Sequence, residues 1–284
     1  MSHLNESATT QPLISVVICA YNGERYIEQT INSVLAQTYP NFEIVIVDDG
    51  STDATAAIVQ KLTAQHQCIR PFFRKNHGLP ASRSFAFENS RGDWIAIIDQ
   101  DDLCYPSRLA RQIEVSNENP SAALIFCNTH FIDENDTVIG DHLSKFSLPE
   151  RFIPKGLAGN LLLQVGCFID SEAFFMRRDA ALAIGRLDDS LCYACDYEYF
   201  VRAGFAVNFA YTSDALAAWR IHADQATATS PKIRQQVRTV YRRYFWARGV
   251  NFLTKIHLLK NLTKSYAGQF LDAAKRRTRA AGRN

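Results

Sequence analysis

The chain has 284 residues, of which 47% are hydrophobic, with 9 prolines, 13 glycines and a net charge of +2. These values exclude a disordered protein and allow a large core, in one α/β domain or two smaller ones. Residues 1–11 lack the basic-then-apolar order of a signal peptide, and no run approaches the roughly 18 apolar residues of a membrane-spanning helix, so we expect a cytoplasmic protein.

The first third of the chain alternates strands and helices. Near-continuous apolar runs predict strands at 14–20, 42–47, 69–73 and 95–98. Helical spacing predicts helices at 27–35 and 54–64, and a third through Arg83 and Phe87. Ser51 or Thr52 is expected to cap the second helix. Strands that alternate with helices in this way predict a parallel sheet covered on both faces.

The second half mixes both kinds of element. Apolar runs predict strands at 122–127, 171–176 and 215–221, and helical spacing predicts a helix at 196–203. His142–Lys155 has no clear period and is predicted to be a loop. Cys192 and Cys195 have the spacing of a redox pair or of half a zinc site. No second pair accompanies them and no thioredoxin-like pattern surrounds them, so we interpret the spacing as coincidence.

Polar turns follow the carboxyl ends of successive predicted strands, at Tyr21-Asn22, Asp48-Asp49, Asn76 and Asp99–Asp102. In an open α/β sheet these ends meet along one edge, and ligands bind in the crevice there. No Gly-x-Gly-x-x-Gly or Walker sequence follows a strand, which argues against a dinucleotide or P-loop site.

The most informative turn is Asp99-Gln100-Asp101-Asp102, directly after an apolar strand. Carboxylates at this spacing repel one another, and their desolvation without a partner is costly. A divalent cation together with a phosphate-bearing ligand would relieve both penalties. The alternative is a solvated acidic turn before a helix that opens at Pro106. The turn alone leaves both interpretations open.

Four segments in order resemble the inverting nucleotide-sugar glycosyltransferases of family 2: Ile14–Asn22, Ile44–Thr52, Asn76–Arg83 and Asp99–Asp102. The resemblance extends from about Ile14 to Gln225. It implies the GT-A fold, a Rossmann-like, mostly parallel sheet with helices on both faces and a helical C-terminal extension. The catalytic domain would span residues 1–230, with a nucleotide-sugar half at about 12–105 and an acceptor half at about 106–230.

The same resemblance implies residues that bind the nucleotide sugar: Ala20, Tyr21, Asn22, Asp49, Asn76, Arg83, Asp99, Gln100, Asp102 and His222. The first three would line the base pocket, Asp49 would hydrogen-bond the base, and Asp99 would hold the ribose. Asp101, the second acid of the Asp-x-Asp motif, would bind Mg²⁺ or Mn²⁺ at the diphosphate.

Four of these residues have two implied roles each. Asn76 and Arg83 would approach the diphosphate or brace the acidic turn. His222, in a segment similar to the family's terminal aromatic-Arg-x-His element, would reach the diphosphate or complete the metal shell. Asp102 would support the metal ligand or contact the donor sugar.

Asp196 is the implied catalytic base, because 185–191 and 195–202 are similar to the acceptor-side signature of the family. Cys195 stands where the family usually has an acid. Asp188 and Glu198 are the alternative bases, and Asp196 as a simple helix cap is the structural alternative.

Residues 231–284 form a basic tail. They contain 14 lysines and arginines and one acid, a net charge of +13, whereas the preceding residues contain 17 basic and 28 acidic side chains, a net charge of −11. Helical spacing is present at 233–245 and 252–262, and the chain ends in a basic run at 275–279. Basic amphipathic helices suit an anionic membrane surface; packing on the body and a homodimer contact are the alternatives. Nucleic-acid binding ranks last, because no nucleic-acid fold signature accompanies the tail.

The resemblance to family 2, together with the acidic turn and the predicted parallel sheet, implies a metal-dependent inverting glycosyltransferase. It would move a sugar from a nucleotide-diphosphate donor to a glycan or lipid-linked acceptor, in cell-surface polysaccharide or lipopolysaccharide biosynthesis, either free in the cytoplasm or on the inner face of the membrane. A nucleotide-sugar-binding protein without transfer is the alternative. A nucleotidyltransferase is disfavoured, since Tyr21-Asn22-Gly23-Glu24 is not a glycine-rich basic loop.

Overall fold

One mixed sheet of ten strands organises the computed structural model, which describes residues 11–223, 225 and 232–264. The strands are β1 Ile14–Ala20, β2 Phe42–Asp48, β3 Ile69–Phe73, β4 Trp94–Ile97, β5 Leu103–Cys104, β6 Ala122–Ile132, β7 Val138–Asp141, β8 Phe152–Ile153, β9 Phe175–Arg177 and β10 Asn208–Arg220. The helices are α1 Ile27–Leu35, α2 Thr55–Gln65, α3 Leu79–Asn89, α4 Arg108–Glu118, α5 Leu157–Val165, α6 Arg178–Ile184, α7 Cys195–Ala206 and α8 Lys232–Phe245. Residues 252–264 are also helical.

The predicted parallel unit is confirmed in the order β3-β2-β1-β4. Val16 lies in the middle of it, paired with Ile44 on one side and Ala96 on the other. The strands are almost continuously apolar because helices cover both faces of the sheet. α1 buries one stripe, formed by Ile27, Thr30, Ile31 and Val34. The ends of β1, β2 and β4 therefore lie side by side.

Beyond β4 the sheet becomes mixed, so the expectation of a mostly parallel sheet holds only for its first half. β9 runs antiparallel between β4 and β6, while β6 and β10 are parallel. The predicted strand at 171–176 is wrong at its start. Ser171–Ala173 form a 3-10 turn, and the strand begins at Phe175.

Several predicted boundaries also differ from the structure. β6 and β10 are longer than expected because they pair with each other along most of their lengths. A register shift between Tyr211 and Ala215 interrupts the apolar pattern of β10. The first half of this strand was therefore not predicted. The predicted loop at His142–Lys155 contains a 3-10 turn at Leu143–Lys145 and the short β8.

Neither Ser51 nor Thr52 caps α2. Asp53 accepts the backbone N–H of Thr55 at 3.0 Å, and the Ser51 hydroxyl instead accepts the N–H of Asn22 at 3.0 Å. Ser51 therefore ties the turn after β1 to the turn after β2.

The basic tail packs on the body within the described residues. Val240 of α8 is buried, and the Tyr244 hydroxyl donates to Glu198 of α7 at 3.1 Å. Arg243 pairs with Asp188 at 2.6 Å. In residues 252–264, Thr254 is buried and its hydroxyl donates to the Asn160 side chain at 2.7 Å. The predicted basic run at 275–279 lies outside the described residues, and the domain division at residue 230 stays a prediction.

Two glycines allow α5 and α7 to pack closely. A Cβ on Gly204 would lie 2.5 Å from the backbone nitrogen of Gly159, closer than two such atoms can approach. This contact holds α7, the helix that carries Asp196, against α5. In the part of the chain that the structure describes, no helix combines the length and apolar character needed to cross a bilayer.

Candidate functional site

A cavity of about 910 Å³ opens where β1, β2 and β4 end. Its walls include nine of the residues predicted to act in donor or metal binding, namely Ala20, Tyr21, Asn22, Asp49, Asp99, Gln100, Asp101, Asp102 and His222. Asp196 lines the same cavity. A second cavity of about 570 Å³ lies around Trp94 and Arg177, and none of the predicted site residues lines it. The first cavity is therefore the candidate site.

The turn after β1 is held by side chains from two neighbouring strand ends. Asn22 has a positive φ of 51°, and its side-chain oxygen accepts the N–H of Thr52 at 2.8 Å. Gln100 accepts the N–H of Tyr21 at 2.9 Å and donates to the Tyr21 carbonyl at 3.2 Å. Tyr21 is left half-exposed at the cavity mouth. Gln100 thus fixes the turn that presents Tyr21 and Asn22.

Asp49 is buried at the end of β2. Its two carboxylate oxygens accept the backbone N–H groups of His77 at 3.0 Å and of Gly78 at 2.8 Å. These bonds hold the loop that leads into α3. The structure does not bring Asn76 to the cavity: it is exposed on this loop, because the loop is anchored through the two residues that follow it.

Arg83 is fully buried on α3 and forms salt bridges with both Asp99 and Asp196. Burial alone would lower the pKa of Arg83, but the carboxylates of Asp196 and Asp99 raise it well above the ordinary arginine value. Two roles were implied for Arg83, contact with the diphosphate and support of the acidic turn. Its salt bridge with Asp99 is the contact expected for the second role. One guanidinium joins the strand end of β4 to the first turn of α7.

Asp101 lies beside His222. The distance between the Asp101 carboxylate and Nε2 of His222 is 2.8 Å, and the His222 ring packs 5.3 Å from that of Tyr26. The buried Arg220 fixes this arrangement, because its Nε–H donates to the Asp101 carbonyl at 2.9 Å and its N–H to the Asp102 carboxylate at 2.7 Å. The end of β10 and the acidic turn are thus held together.

Glu172, a buried acid of the 3-10 turn before β9, was not among the predicted site residues. Carboxylate oxygens of Asp99, Asp102 and Glu172 lie within 4.8 Å of one another. Burial, and then the charge of Glu172, raises the pKa of Asp102 well above the usual range. Burial, and then the charge of Asp99, does the same to the pKa of Glu172. The sequence contained one signal of this residue: Glu172 is an acid within the largely apolar run 171–176, which was predicted to be a strand.

Asp196 opens into the cavity from the first turn of α7, and the Ser171 hydroxyl donates to its carboxylate at 3.3 Å. No side-chain hydrogen bond caps the start of α7, so Asp196 does not act as a simple helix cap. Cys195, in place of the usual acid, is buried and absent from the cavity wall. Burial raises the pKa of its thiol well above the usual value.

The two alternative bases lie outside the cavity. Asp188 is bound by Arg243, and Glu198 is buried against Tyr244 and pairs with Arg202 at 2.9 Å. Both acids hold α8 in place. Of the three acids, Asp196 is the one that lines the cavity.

α8 supplies an apolar wall that the sequence analysis did not anticipate. Ile233, Val237 and Tyr241 line the cavity, together with Tyr197 of α7. Gln236 accepts the N–H of Tyr193 at 2.7 Å, which fixes this end of α8 against the loop before α7. The basic tail is thus part of the cavity.

The donor atoms at the acidic turn fit a hard divalent cation. Mg²⁺ and Mn²⁺ prefer carboxylate oxygens and accept a neutral imidazole nitrogen, and they share their coordination shell with substrate phosphates. Three carboxylates within 4.8 Å of one another repel when ionised, and of these three Arg83 pairs with Asp99 alone, so a further cation would stabilise the group. Asp101 with His222, and the three-carboxylate group beside them, therefore have suitable chemistry for such an ion.

The family model described as glycosyl transferase family 2 matches residues 15–185. The chain belongs to glycosyltransferase family 2. An uncharacterized glycosyltransferase of Rickettsia typhi is 27% identical over 266 residues, covering 93% of this chain and 79% of that protein. Family membership and fold together identify a glycosyltransferase of the GT-A class.

Two solved structures share this fold. S. aureus TarS 1–349 in complex with UDP-GlcNAc has a TM-score of 0.68 and 19% identity, covering 89% of this chain and 71% of that one. The chain spans only 43% of another TarS structure. A mannosyltransferase of Pyrobaculum calidifontis in complex with GDP-Man and Mn²⁺ has a TM-score of 0.66 and 16% identity, covering 94% of this chain and 76% of that one. At these identities the likeness concerns the fold.

Proposed function

We propose that this glycosyltransferase moves one sugar from a nucleotide-diphosphate donor to an acceptor hydroxyl, with inversion at the anomeric carbon. The observation that carries the proposal is the guanidinium of Arg83, which joins Asp99 and Asp196 beside one cavity. This supports a site in which a donor-binding acid and a base face the same reacting centre.

The donor binds at the ends of β1 and β2. Tyr21 and Asn22 line the base pocket, and Asp49 hydrogen-bonds the base through a lone pair that its two backbone donors leave free. Asp99 holds the ribose. The fold relatives were solved with UDP-GlcNAc and with GDP-Man, which supports a nucleoside-diphosphate sugar as the donor class.

Asp101 is the proposed protein ligand for Mg²⁺ or Mn²⁺, with His222 beside it and the oxygens of Asp99, Asp102 and Glu172 nearby. When bound, the ion would supply positive charge that stabilises the departing diphosphate. The donor set supports this proposal, as does the Mn²⁺ in the related mannosyltransferase structure. Arg220 contributes by holding the acidic turn in position.

Asp196 is the proposed base and accepts the proton of the acceptor hydroxyl during attack on the anomeric carbon. A C–O bond forms on one face of that carbon while the bond to the diphosphate breaks on the other. The configuration therefore inverts, and the nucleoside diphosphate leaves with the bonding electrons. The salt bridge from Arg83 and the hydrogen bond from the Ser171 hydroxyl hold the Asp196 carboxylate in position.

The acceptor is proposed to be a glycan or a lipid-linked glycan of the kind used in cell-surface polysaccharide or lipopolysaccharide assembly. The wall near Asp196 contains Ile233, Val237 and Tyr241. Aromatic and aliphatic side chains bind the apolar faces of sugars and the hydrocarbon of lipids, so this wall supports both acceptor classes.

The competing function is nucleotide-sugar binding without transfer. It was suggested by Cys195 in place of an acid, but Cys195 is buried outside the cavity wall whereas Asp196 lines it. The position of Asp196 favours transfer over binding alone.

A donor-turnover assay tests this proposal. The protein is incubated with a panel of nucleotide sugars, with Mn²⁺ or after exhaustive chelation, and release of the nucleoside diphosphate is measured. Chelation and Asp101→Asn should each reduce turnover of the accepted donor by about a hundredfold or more, because the departing charge loses its stabilisation.

The matched control is Asp179→Asn, which removes an exposed carboxylate that pairs with Arg177 and does not line the candidate cavity. It should leave turnover unchanged. Wild-type turnover that survives chelation would contradict the metal assignment, and absence of turnover with every nucleotide sugar would contradict the donor class.

A further inference from the structure

Five large apolar side chains of the tail are exposed, and we call them the outer face: Trp246, Phe252, Leu253, Ile256 and Leu259. Their exposed fractions are 83%, 75%, 71%, 49% and 54%. Trp246 follows the end of α8, and the others lie on the helical residues 252–264. No described residue covers them to a degree usual for side chains of this size.

The outer face is not the side of the tail that holds the fold together. The opposite side of residues 252–264 is buried through Thr254 and Leu258, and Thr254 is hydrogen-bonded to Asn160 and Gln164 of α5. The apolar stripe of α8, in turn, packs on α7 or lines the cavity. A helix that is apolar on two sides and packed on only one leaves the other side available for a partner.

The charged side chains of the two helical segments that carry the outer face are all positive. Residues 232–264 contain nine lysines and arginines and no acid. At about 100° per residue, helical spacing places Lys255 on one edge of the outer face and Lys260 on the other. Arg248 follows Trp246 and is exposed. An apolar strip between two cationic edges has the composition of a helix that lies in the headgroup region of an anionic bilayer.

We propose that the outer face docks on the surface of a membrane that contains anionic phospholipid. A two-fold contact between two copies through the same face would bring the two cationic edges together, which disfavours a second copy as the occupant. Five large apolar side chains at the centre of the face disfavour nucleic acid, which is bound mainly through phosphate contacts.

This docking would place the active-site cavity close to the bilayer. The same helix, α8, ends beside the outer face and lines the cavity through Ile233, Val237 and Tyr241. Its 14 residues span about 20 Å at about 1.5 Å per residue. A lipid-linked acceptor anchored in the bilayer would then reach Asp196 with its sugar head, a consequence that rests on the proposed transfer. The docking itself does not.

Co-sedimentation of the full-length protein with vesicles tests the proposal. We expect binding to vesicles of phosphatidylglycerol mixed with phosphatidylcholine, weaker binding to phosphatidylcholine alone, and weakening with added salt. Replacing two large apolar side chains, in Phe252→Ser with Leu253→Ser, should lower the partition coefficient about tenfold or more. Lys255→Gln with Lys260→Gln should weaken binding to the anionic vesicles selectively.

The matched control is Val138→Ser with Ile139→Ser, which removes two side chains of similar exposure, 51% and 57%, from β7. In the sequence, this pair follows the acids Glu134 and Asp136, whereas Phe252 and Leu253 lie in a segment without acids. It should bind vesicles as the wild type does. Donor turnover, which needs no membrane, is measured for every variant, so loss of docking and loss of transfer are read separately.

Four results would overturn the proposal. The first is equal vesicle binding by wild type and the Phe252–Leu253 variant. The second is a dimer, in light scattering, that this variant converts to a monomer. The third is a large loss of thermal stability in the variant without vesicles, which would show that the chain itself covers the outer face. The fourth is binding to a nucleic acid without binding to anionic vesicles.

Discussion

At the scale of single residues, the site depends on how buried charges are compensated. Arg83 is fully buried, and its two carboxylate partners lie on different elements, Asp99 after β4 and Asp196 on α7. Loss of one member of a buried ion pair costs about 3–5 kcal/mol, because the other charge is left uncompensated. Arg83 therefore couples the position of the proposed base to the position of the acidic turn.

Asp196→Asn should lower the rate of sugar transfer by about 10²–10⁴-fold, because the acceptor hydroxyl loses its proton acceptor. Donor affinity should be retained, since Arg83 keeps its salt bridge with Asp99. Transfer kinetics and calorimetric titration with the donor measure the two effects separately.

The control for this variant is Asp189→Asn, an exposed acid that does not line the cavity. It should transfer at the wild-type rate. Undiminished transfer by Asp196→Asn would contradict the assignment of the base.

At the scale of elements, α8 is held by side chains that were candidate bases in the sequence. Asp188 binds Arg243 at 2.6 Å and Ser190 at 2.6 Å. Burial alone would raise the pKa of Asp188, but the hydrogen bonds from Ser190 and Arg243 lower it to about 2. The pair thus connects the segment before α7 to the tail helix that forms one cavity wall.

Asp188→Asn should destabilise the protein at pH 7 by about 1 kcal/mol, after allowance for the partial exposure of the pair. A carboxyl group with a lowered pKa in the folded state contributes stability above its unfolded pKa, about 3.9, and loses it as the pH falls to about 2. The difference between variant and wild type should shrink by about half at pH 3.

Urea unfolding at both pH values measures this difference. Asp189→Asn, for which no ion pair is found within the described chain, is the control and should have little effect at pH 7. A destabilisation that stays constant between pH 7 and pH 3 would contradict the ion-pair account of Asp188 and Arg243.

At the scale of the whole molecule, three distant parts of the chain surround one cavity. The parallel strands supply the donor side, α7 supplies Asp196, and α8 supplies the apolar wall. A ligand that binds between these parts stabilises all of them together.

A nucleoside diphosphate and Mn²⁺ added together, at a hundred times their dissociation constants, should raise the melting temperature by about 5–10 °C. Mn²⁺ alone should have a much smaller effect, since the phosphates complete its coordination shell. In Asp101→Asn the part of the shift that depends on Mn²⁺ should disappear. Differential scanning fluorimetry measures all of these shifts, and equal shifts for wild type and Asp101→Asn would contradict the role of Asp101.

The sequence alone determined the parallel half of the sheet and the side of the cavity that we propose for the donor. Apolar runs of strand length are followed by Asn22, Asp49 and Asp99. The carboxyl ends of neighbouring parallel strands meet at one edge of the sheet, independently of the elements that follow. These placements depend on local patterns, which are visible in a single chain.

Only the tertiary structure decided which distant residues meet. Glu172 joins the acidic turn, Arg83 joins Asp196 across 113 positions, and α8 closes the cavity. Neither spacing nor periodicity encodes such contacts, because they depend on how separate elements pack against one another. Long-range packing also decided that the apolar stripe of α8 faces inward, leaving the outer face of residues 252–264 exposed.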